Sequence, residues 1–404
     1  MNNKFLTPNK IICMVSLFFL LTIDAGFYSS AVMNGTVRLV IAAVAVVFLV
    51  ITRLQKTIMT NPFFSRLRKT FVFFLLSLVM PLLYGRFNIK QMIIMVAAWS
   101  IGYLFTLFVS YQEFKDIFSL LIRFLAVYSL ITFAISLIFP DFIYLLPEVV
   151  RADGDSFRNA IFSVLSESTY LKRNIGIFWE PGAYSIYLNI ALFFELFEEK
   201  FNVKRIILYA VTILTTFSTL GIVCMVILFA AFLTTSNKIA SSKTKGVILA
   251  LGSLGLVGLL FFGGDFFFHV FDKLDMSSNN VSDSTTVRIN AVIYPLSAFL
   301  EKPFLGVGYD DYLFIQTRFC NDMATCTFVN WLCLFGVAGG VLPIIGCIRF
   351  FTVNSHKFIT NIALFVFTLL LFSTENFIIV TFIYMLVFYG YNKRSDKKLL
   401  RKLV

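Results

Sequence analysis

Apolar stretches long enough to form membrane helices recur along nearly the whole chain, and no other feature constrains the fold as strongly. A bilayer span needs about 20 mostly apolar residues. Reading apolar runs against their polar breaks gives twelve candidates: 11–30, 36–52, 71–84, 91–110, 117–139, 180–197, 205–217, 219–235, 246–263, 327–350, 358–372 and 376–391. Composition agrees. The chain of 404 residues is 59% hydrophobic and 14% charged, and 50 of its residues are Phe. Soluble domains carry about 45–50% apolar and about 25% charged residues. Soluble-enzyme, DNA-binding and secreted-scaffold classes are therefore excluded. The expectation is a single all-α, polytopic membrane helix bundle over residues 1–404, with about 12 transmembrane helices.

The net charge of +12 has to be located before it is interpreted. Alternating the candidate spans from a cytoplasmic N-terminus puts 22 of the 34 Lys and Arg residues on the cytoplasmic side, six of them in the tail from Lys393 to Lys402. The short outer loops hold Arg86 and Lys90, and the long segments 140–178 and 264–325 hold four basic residues each, against five and eight acids. This is the positive-inside pattern. Both termini are expected in the cytoplasm and both long loops outside. The basic excess then marks orientation and attraction to membrane lipids, not a nucleic-acid partner. Lys4 and Lys10 precede the first run in the manner of a signal sequence, but eleven more runs follow, so it reads as an uncleaved anchor. The stretch 205–235 is too long for one helix, and Thr215, Thr216, Ser218, Thr219 and Gly221 cluster at its middle. Splitting it there preserves the charge rule for everything downstream.

Most connections are short, so the two long outer segments, of 39 and 62 residues, stand out as carriers of function. The first re-enters the membrane through Arg173-Asn174-Ile175-Gly176-Ile177-Phe178-Trp179-Glu180-Pro181-Gly182-Ala183-Tyr184. Pro181 suits the first turn of a helix, and Glu180 before it sits where a negative charge is favoured. Glu180 reads equally as a helix-end charge beside an interfacial Trp179 or as a group with chemistry to do. Arg158 and Arg173, in the same segment, are candidates for holding an anion. The second segment carries Arg288, then Glu301-Lys302-Pro303-Phe304-Leu305-Gly306-Val307-Gly308-Tyr309-Asp310-Asp311. Residues 287–300 have helical apolar spacing (Val287, Ile289, Val292, Ile293, Leu296, Phe299, Leu300) and suit a helix along the membrane surface. Gly306 and Gly308 fit a tight turn or the close approach of a ligand to backbone.

An outward-facing pair of arginines suits one chemistry in particular. Guanidinium binds phosphate and pyrophosphate in bidentate fashion and stays charged at any working pH. A polyprenyl-pyrophosphate sugar donor keeps its lipid in the bilayer and its pyrophosphate at the interface, where these arginines lie. Arg near headgroups also anchors lipid phosphate. Asp153-Gly154-Asp155 matches a metal-holding DxD pattern, but an Asp-Gly turn is the commoner reason for it. With only His269 and His356, and no CxxC pair, the expectation is no metal and no cofactor. Cys320 and Cys326 lie where a disulfide is permitted, and a bridge and free thiols both fit. Glu375, between the last two runs, suits either a solvated span end or a cavity facing the same site.

These runs resemble a known family. Phe178-Trp179-Glu180-Pro181-Gly182-Ala183-Tyr184 looks like the F-x-E-P-G-x-Y re-entry of bacterial polysaccharide polymerases. Thr216-Phe217-Ser218-Thr219 resembles their T-x-S-R break, with Thr219 where many members carry Arg. Arg288 and the run Pro303 to Gly308 are similar to their R … P-x-x-G-x-G loop, and Cys326 through Asn330 to Gly339 resembles the helix start that follows, with Thr325-Cys326 in place of His-Asn. The family is the O-antigen polymerase and ligase superfamily. The resemblance implies about a dozen helices in a GT-C-like bundle, two large periplasmic loops at 140–178 and 264–325, and a multi-pass protein of the bacterial inner membrane. It also implies metal-independent glycosyl transfer. The ligase branch depends on a loop histidine that this chain lacks at the matching position, which favours the Wzy-type polymerase. In that reading a growing glycan passes from undecaprenyl pyrophosphate to a lipid-linked repeat unit, alongside the chain-length regulator and flippase of the same pathway. Arg288, Arg173 and Glu180 are the catalytic candidates. Arg158, Tyr184, Gly306, Gly308, Tyr309, Asp310, Asn330 and Glu375 are the substrate-binding ones. The alternatives are a ligase acting on lipid A core and a non-enzymatic flippase. A flippase would carry internal repeats and charges deep in its spans; here the main such charge is Arg123, which can snorkel.

Overall fold

Eleven of the twelve apolar runs fall on α-helices in a computed structural model. It describes residues 8–24, 26–27, 35–53, 89–150, 154–167, 172–197, 202–235, 242–261, 283–320, 325–352, 358–373 and 375–403. The twelfth run, 71–84, lies outside the described residues, as do Asp153, His269 and His356. The helices are α1 (Pro8–Asp24), α2 (Gly35–Arg53), α3 (Ile89–Phe108), α4 (Tyr111–Ile138), α5 (Pro181–Phe197), α6 (Val203–Thr215), α7 (Thr219–Thr235), α8 (Ser242–Phe261), α9 (Asp283–Glu301), α10 (Tyr309–Phe319), α11 (Thr327–Phe351), α12 (Phe358–Leu371) and α13 (Thr381–Leu403). Among the described residues α4 and α11 are long and apolar enough to cross a bilayer unaided, and the others are shorter apolar helices. The protein is an all-α membrane bundle, with one small sheet.

That sheet lies in the long segment between α4 and α5, for which the sequence offered no strand. A 3-10 helix (Pro140–Leu145) follows α4, and β1 (Glu148–Val150), β2 (Ser156–Asn159) and β3 (Val164–Ser166) then form an antiparallel meander. Gly154, just before β2, takes φ +93°, a conformation that favours glycine. The ring of Phe157, with Val164 and Ile175, packs on Phe27 just beyond α1, and this cluster fixes the meander to the helices.

The chain forms two compact units. One comprises Met1–Ala45, Gln112–Gly263 and Thr352–Leu371. In it α7 packs on α12, α8 and α5, and α5 packs on α6. The division of 205–235 is where the sequence placed it: α6 ends at Thr215, Phe217 takes φ +47°, and α7 begins at Thr219. An ion pair ties α5 to α6, with Arg205 Nη1 2.9 Å from Glu195 Oε1; Glu195 is 0% exposed and the Arg205 side chain 33%. Removing one partner of a buried pair costs about 3–5 kcal/mol because the other charge stays buried. Arg205→Ala is expected to lower thermal stability in detergent by about that amount, and the double change Arg205→Ala/Glu195→Gln to recover most of the loss. A double variant that melts as low as the single one would refute this account.

The other unit comprises Val46–Tyr111, Gly264–Phe351 and Phe372–Val404. Here α13 packs against α11 and α3, and α9 against α11 and α10. Gly346 on α11 and Gly390 on α13 let the two backbones touch, since a Cβ on Gly390 would lie 2.0 Å from the Gly346 carbonyl oxygen. Helix α9 lies where its apolar spacing predicts, and its two faces divide by residue size. The buried positions are Ala291, Pro295 and Ala298, while Ile293, Leu296 and Leu300 are exposed. The small residues make the protein contact and the large apolar ones face outward, which suits a helix lying at a membrane surface.

Candidate functional site

In the first unit the re-entry run is held against the break between α6 and α7. A helix ends with four carbonyls lacking intrahelical partners. Arg173 supplies donors to this end: its Nε donates to the Thr216 carbonyl (2.9 Å) and its Nη2 to that of Phe217 (3.1 Å). A cation there also complements the negative end of the helix dipole. Asn174 continues the contact. Its backbone N–H donates to the Thr215 carbonyl (3.0 Å), and its side-chain amide donates to Thr215 Oγ1 (3.1 Å) and Ser129 Oγ (3.2 Å). Gly176 follows at φ +59°, where a Cβ would strike the Tyr184 ring at 2.8 Å. Tyr184 is fully buried. Its hydroxyl shares a hydrogen bond with Ser129 (2.8 Å) and its ring stacks on Phe178. It therefore sets the position of the run from within and presents no surface to a sugar in this conformation.

Glu180 stands at the head of α5, just before Pro181, and is half-buried. Among the described residues its carboxylate makes no hydrogen bond or ion pair, although its backbone carbonyl accepts from Tyr184 N (3.1 Å). Behind it, Ser185 bonds to Ser218 (3.3 Å), and the Asn189 amide donates to the Ser185 and Gly221 carbonyls, fixing α5 to the start of α7. Arg158 is fully engaged on strand β2. It ion-pairs with Glu167 and with Glu148 (3.6 Å), donates to the Leu146 carbonyl (3.2 Å) and lies over the Tyr144 ring. Its role here is to bind the meander together.

In the second unit the glycine loop turns tightly, with Gly306 at φ +72° and Gly308 at φ +81°. Gly336 interrupts α11 with φ +58° and ψ −163°. The interruption leaves the carbonyls of Cys333 and Leu334 and the N–H groups of Val337 and Ala338 without helical partners. The loop 303–308 supplies all four. Val307 N and Gly308 N donate to Cys333 O (2.7 Å) and Leu334 O (3.2 Å), while Val337 N and Ala338 N donate to Pro303 O (2.8 Å) and Phe304 O (3.1 Å). A Cβ on Gly306 would lie 2.5 Å from the Cys333 carbonyl oxygen. The close approach that Gly306 permits includes one to the chain's own backbone.

That junction sets α10 and the first turn of α11. Gly308 caps α10, and Asp310 and Asp311 occupy its first turn, where acids are favoured; Lys302 lies 3.6 Å from Asp311. Tyr309 is half-buried, and burial first, then the Asp310 charge, holds its phenol above the usual range. It stays protonated at neutral pH and can donate to a sugar oxygen. Thr327 Oγ1 donates to the Glu375 carbonyl (2.6 Å) and accepts from Phe377 N (3.0 Å), and the Asn376 amide donates to Tyr312 Oη (3.1 Å). Glu375 and Asn330 are both buried beside these contacts; Asn330 donates to the Thr325 carbonyl (2.8 Å), and among the described residues its Oδ1 has no hydrogen-bond partner. Cys320 and Cys326 are unbridged thiols. Burial raises both, Cys320 to about 11, so neither is a thiolate at neutral pH. Arg288 lies in the first turns of α9. Sequence reasoning did not single out Asn174, Ser129, Tyr312 or Asn376. Asn174 lay in view within the re-entry run, whereas nothing in the sequence pairs Tyr312 with Asn376.

A family model described as O-antigen ligase matches residues 206–344. Comparison with curated proteins and with solved structures returns no match. The matched span takes in the break after α6, Arg288, the glycine loop, Tyr309, Asp310 and Asn330. Arg158, Arg173, Glu180, Tyr184 and Glu375 lie outside it. The match supports a membrane enzyme for glycan transfer of the O-antigen ligase and polymerase kind, with lipid-linked oligosaccharide as the class of substrate.

Proposed function

We propose that the chain is a metal-independent O-antigen polymerase of the bacterial inner membrane, with both termini in the cytoplasm. On the periplasmic face it transfers a growing glycan from undecaprenyl pyrophosphate to a hydroxyl of a lipid-linked repeat unit. The observation that carries this reading is the half-buried Glu180 carboxylate, unpartnered among the described residues, at the head of a helix held to a braced break. Glu180 orients or deprotonates the acceptor hydroxyl. Arg288 binds the pyrophosphate and stabilises the charge that develops as it leaves. Arg173, bonded to the break, positions the re-entry run and adds its field. Tyr309 and Asp310 contact sugar, and Asn330 and Glu375 support them. The chain-length regulator and flippase of the pathway are its proposed partners.

Arg288→Ala removes a charge-assisted, bidentate contact, so transfer is expected to fall about 10- to 150-fold, from roughly 1.5–3 kcal/mol. Shortened glycan on a gel with normal protein levels is the expected readout. Unchanged chain lengths would remove Arg288 from the reaction.

The description of the matching family favours a second reading, ligation to lipid A core. Against it, Thr325 and a protonated Cys326 thiol stand where the ligase branch carries His-Asn. Deleting the gene separates the readings on a gel of surface glycolipid. Core bearing a single repeat unit identifies a polymerase. Bare core with polymer on the lipid carrier identifies a ligase, and bare core with repeat units trapped inside identifies a flippase.

A further inference from the structure

The turn between β2 and β3 lies deep against the helices. Phe162, at its tip, packs on three rings: Phe124 (5.2 Å) and Tyr128 (5.6 Å) of α4, and Phe18 (5.9 Å) of α1. At 1.5 Å per residue, Tyr128 and Phe124 lie about 15 and 21 Å below the Ile138 end of α4. Phe18 lies about 9 Å below the Asp24 end of α1 by the same rise. Both helices thus place the tip below their ends, by about 9 Å on α1 and about 15–21 Å on α4. The α4 face beside it is an exposed apolar stripe of Phe124, Val127, Ile131 and Ile138, and α1 adds Val15 and Phe19. This is the face that a spanning helix turns to lipid. The hydrocarbon layer is about 30 Å thick and α4 about 42 Å long, so with the excess shared between its two ends the tip lies about 9–15 Å into one leaflet.

Two features of the tip fit that location. Irregular backbone is tolerated in hydrocarbon only if its polar groups are satisfied internally. Here the N–H groups of Asn159, Ala160, Phe162 and Val164 donate to the carbonyls of Pro147, Ser163, Ala160 and Gly176, and that of Ile161 donates to Asn159 Oδ1. The Ala160 carbonyl also accepts from Tyr128 Oη (2.6 Å). Between them sits Ile161, 68% exposed and at φ +67°. A left-handed conformation costs a β-branched residue about 1–2 kcal/mol, which a polar Asn or a Gly would avoid. In water that side chain would gain nothing; in acyl chains its exposure is favourable.

We propose that the β2–β3 tip is a re-entrant wedge whose Ile161 and Phe162 lie among the phospholipid acyl chains of the leaflet nearest the Ile138 end of α4. The wedge continues the lipid-facing stripe of α4 and α1, and β3 ties it to Gly176 in the run that carries Arg173 and Glu180. It requires that α4 cross the bilayer, and it holds whichever reaction the protein performs.

The test uses the full chain with its six cysteines replaced by Ala, Ile161→Cys added, and a nitroxide attached in phosphatidylethanolamine–phosphatidylglycerol vesicles. Relaxation by dissolved oxygen should exceed that by a water-soluble nickel complex, at a depth matching a label at Val127. A label at Gly154, at the opposite end of the hairpin, should show the reverse. Nickel accessibility at 161 like that at 154, or shielding from both reagents, would overturn the proposal. If the cysteine-free protein does not fold, Ile161→Trp in a Trp99→Phe/Trp179→Phe/Trp331→Phe chain gives the same decision. Quenching by mid-chain dibrominated lipid supports the wedge, and quenching by aqueous iodide, or by neither, overturns it.

Discussion

Glu180→Gln is expected to abolish long-chain glycan while leaving the protein inserted and heat-stable. The two side chains have nearly the same shape, so the change isolates charge and basicity. If Glu180 only decorates a helix N-terminus, losing its charge costs about 0.3–1 kcal/mol of stability and nothing in rate. If it takes the acceptor proton, the loss is about 10²- to 10⁴-fold in transfer. The structure favours the second outcome, because a carboxylate serving as a cap would accept from the N–H groups of its own helix. Among the described residues Glu180 accepts none, while its backbone carbonyl receives Tyr184 N in the ordinary helical way. Asn174, Gly176 and Tyr184 immobilise the run on both sides of Ile175, so the carboxylate is held on a fixed frame. Transfer should be measured on lipid-linked repeat units with purified protein, beside a melting curve. Full transfer by Glu180→Gln would reduce the residue to a helix-end charge.

How much of this was legible in the sequence depended on whether a signal was local or pairwise. The helices were legible because apolar runs interrupted by charge have few other solutions. The break between α6 and α7 was legible for the same reason: Thr215, Thr216 and Ser218 compete locally for backbone hydrogen bonds. The partner of that break was not. Arg173 lies 43 residues before Thr216, and it read as an anion-binding group because a sequence shows its charge and not the carbonyls it meets. Arg158 misled in the same way, since Glu148 and Glu167 become its partners only once β1 and β2 pair. The meander itself left no trace because strands of three and four residues are too short to show alternation. On α9 the apolar positions were legible, whereas the contact made with the protein by Ala291, Pro295 and Ala298 was not. In a membrane setting large apolar side chains need not point into the protein, and Ala291 and Ala298 allow the closer helix contact.

The break in α11 was invisible for another reason: residues 327–350 are apolar on all sides, so periodicity cannot register a kink. Its importance is measurable through Gly336→Ala. Gly336 adopts φ +58°, ψ −163°, a region essentially confined to glycine, and a Cβ there would lie 2.4 Å from the Phe304 carbonyl carbon and oxygen. Backbone strain alone costs about 1–3 kcal/mol. Relieving it by straightening α11 would remake two helical bonds but release the loop 303–308 and its four bonds to the break, each worth about 0.5–1.5 kcal/mol net. Either route costs about 1–3 kcal/mol before the clash at Phe304 or the lost packing of the loop is added. Gly336→Ala is expected to melt well below the parent protein, expose 303–308 to protease and lose glycan transfer. Two controls divide the effect. Gly154→Ala meets nothing within 4 Å but keeps φ +93°, so it reports strain without a clash. Gly246→Ala, inside α8 with nothing within 4 Å, should be neutral or stabilising by up to about 1 kcal/mol. A Gly336→Ala protein as stable as Gly154→Ala, with 303–308 still protected, would show that the loop is held by something other than its exchange of hydrogen bonds with the broken helix.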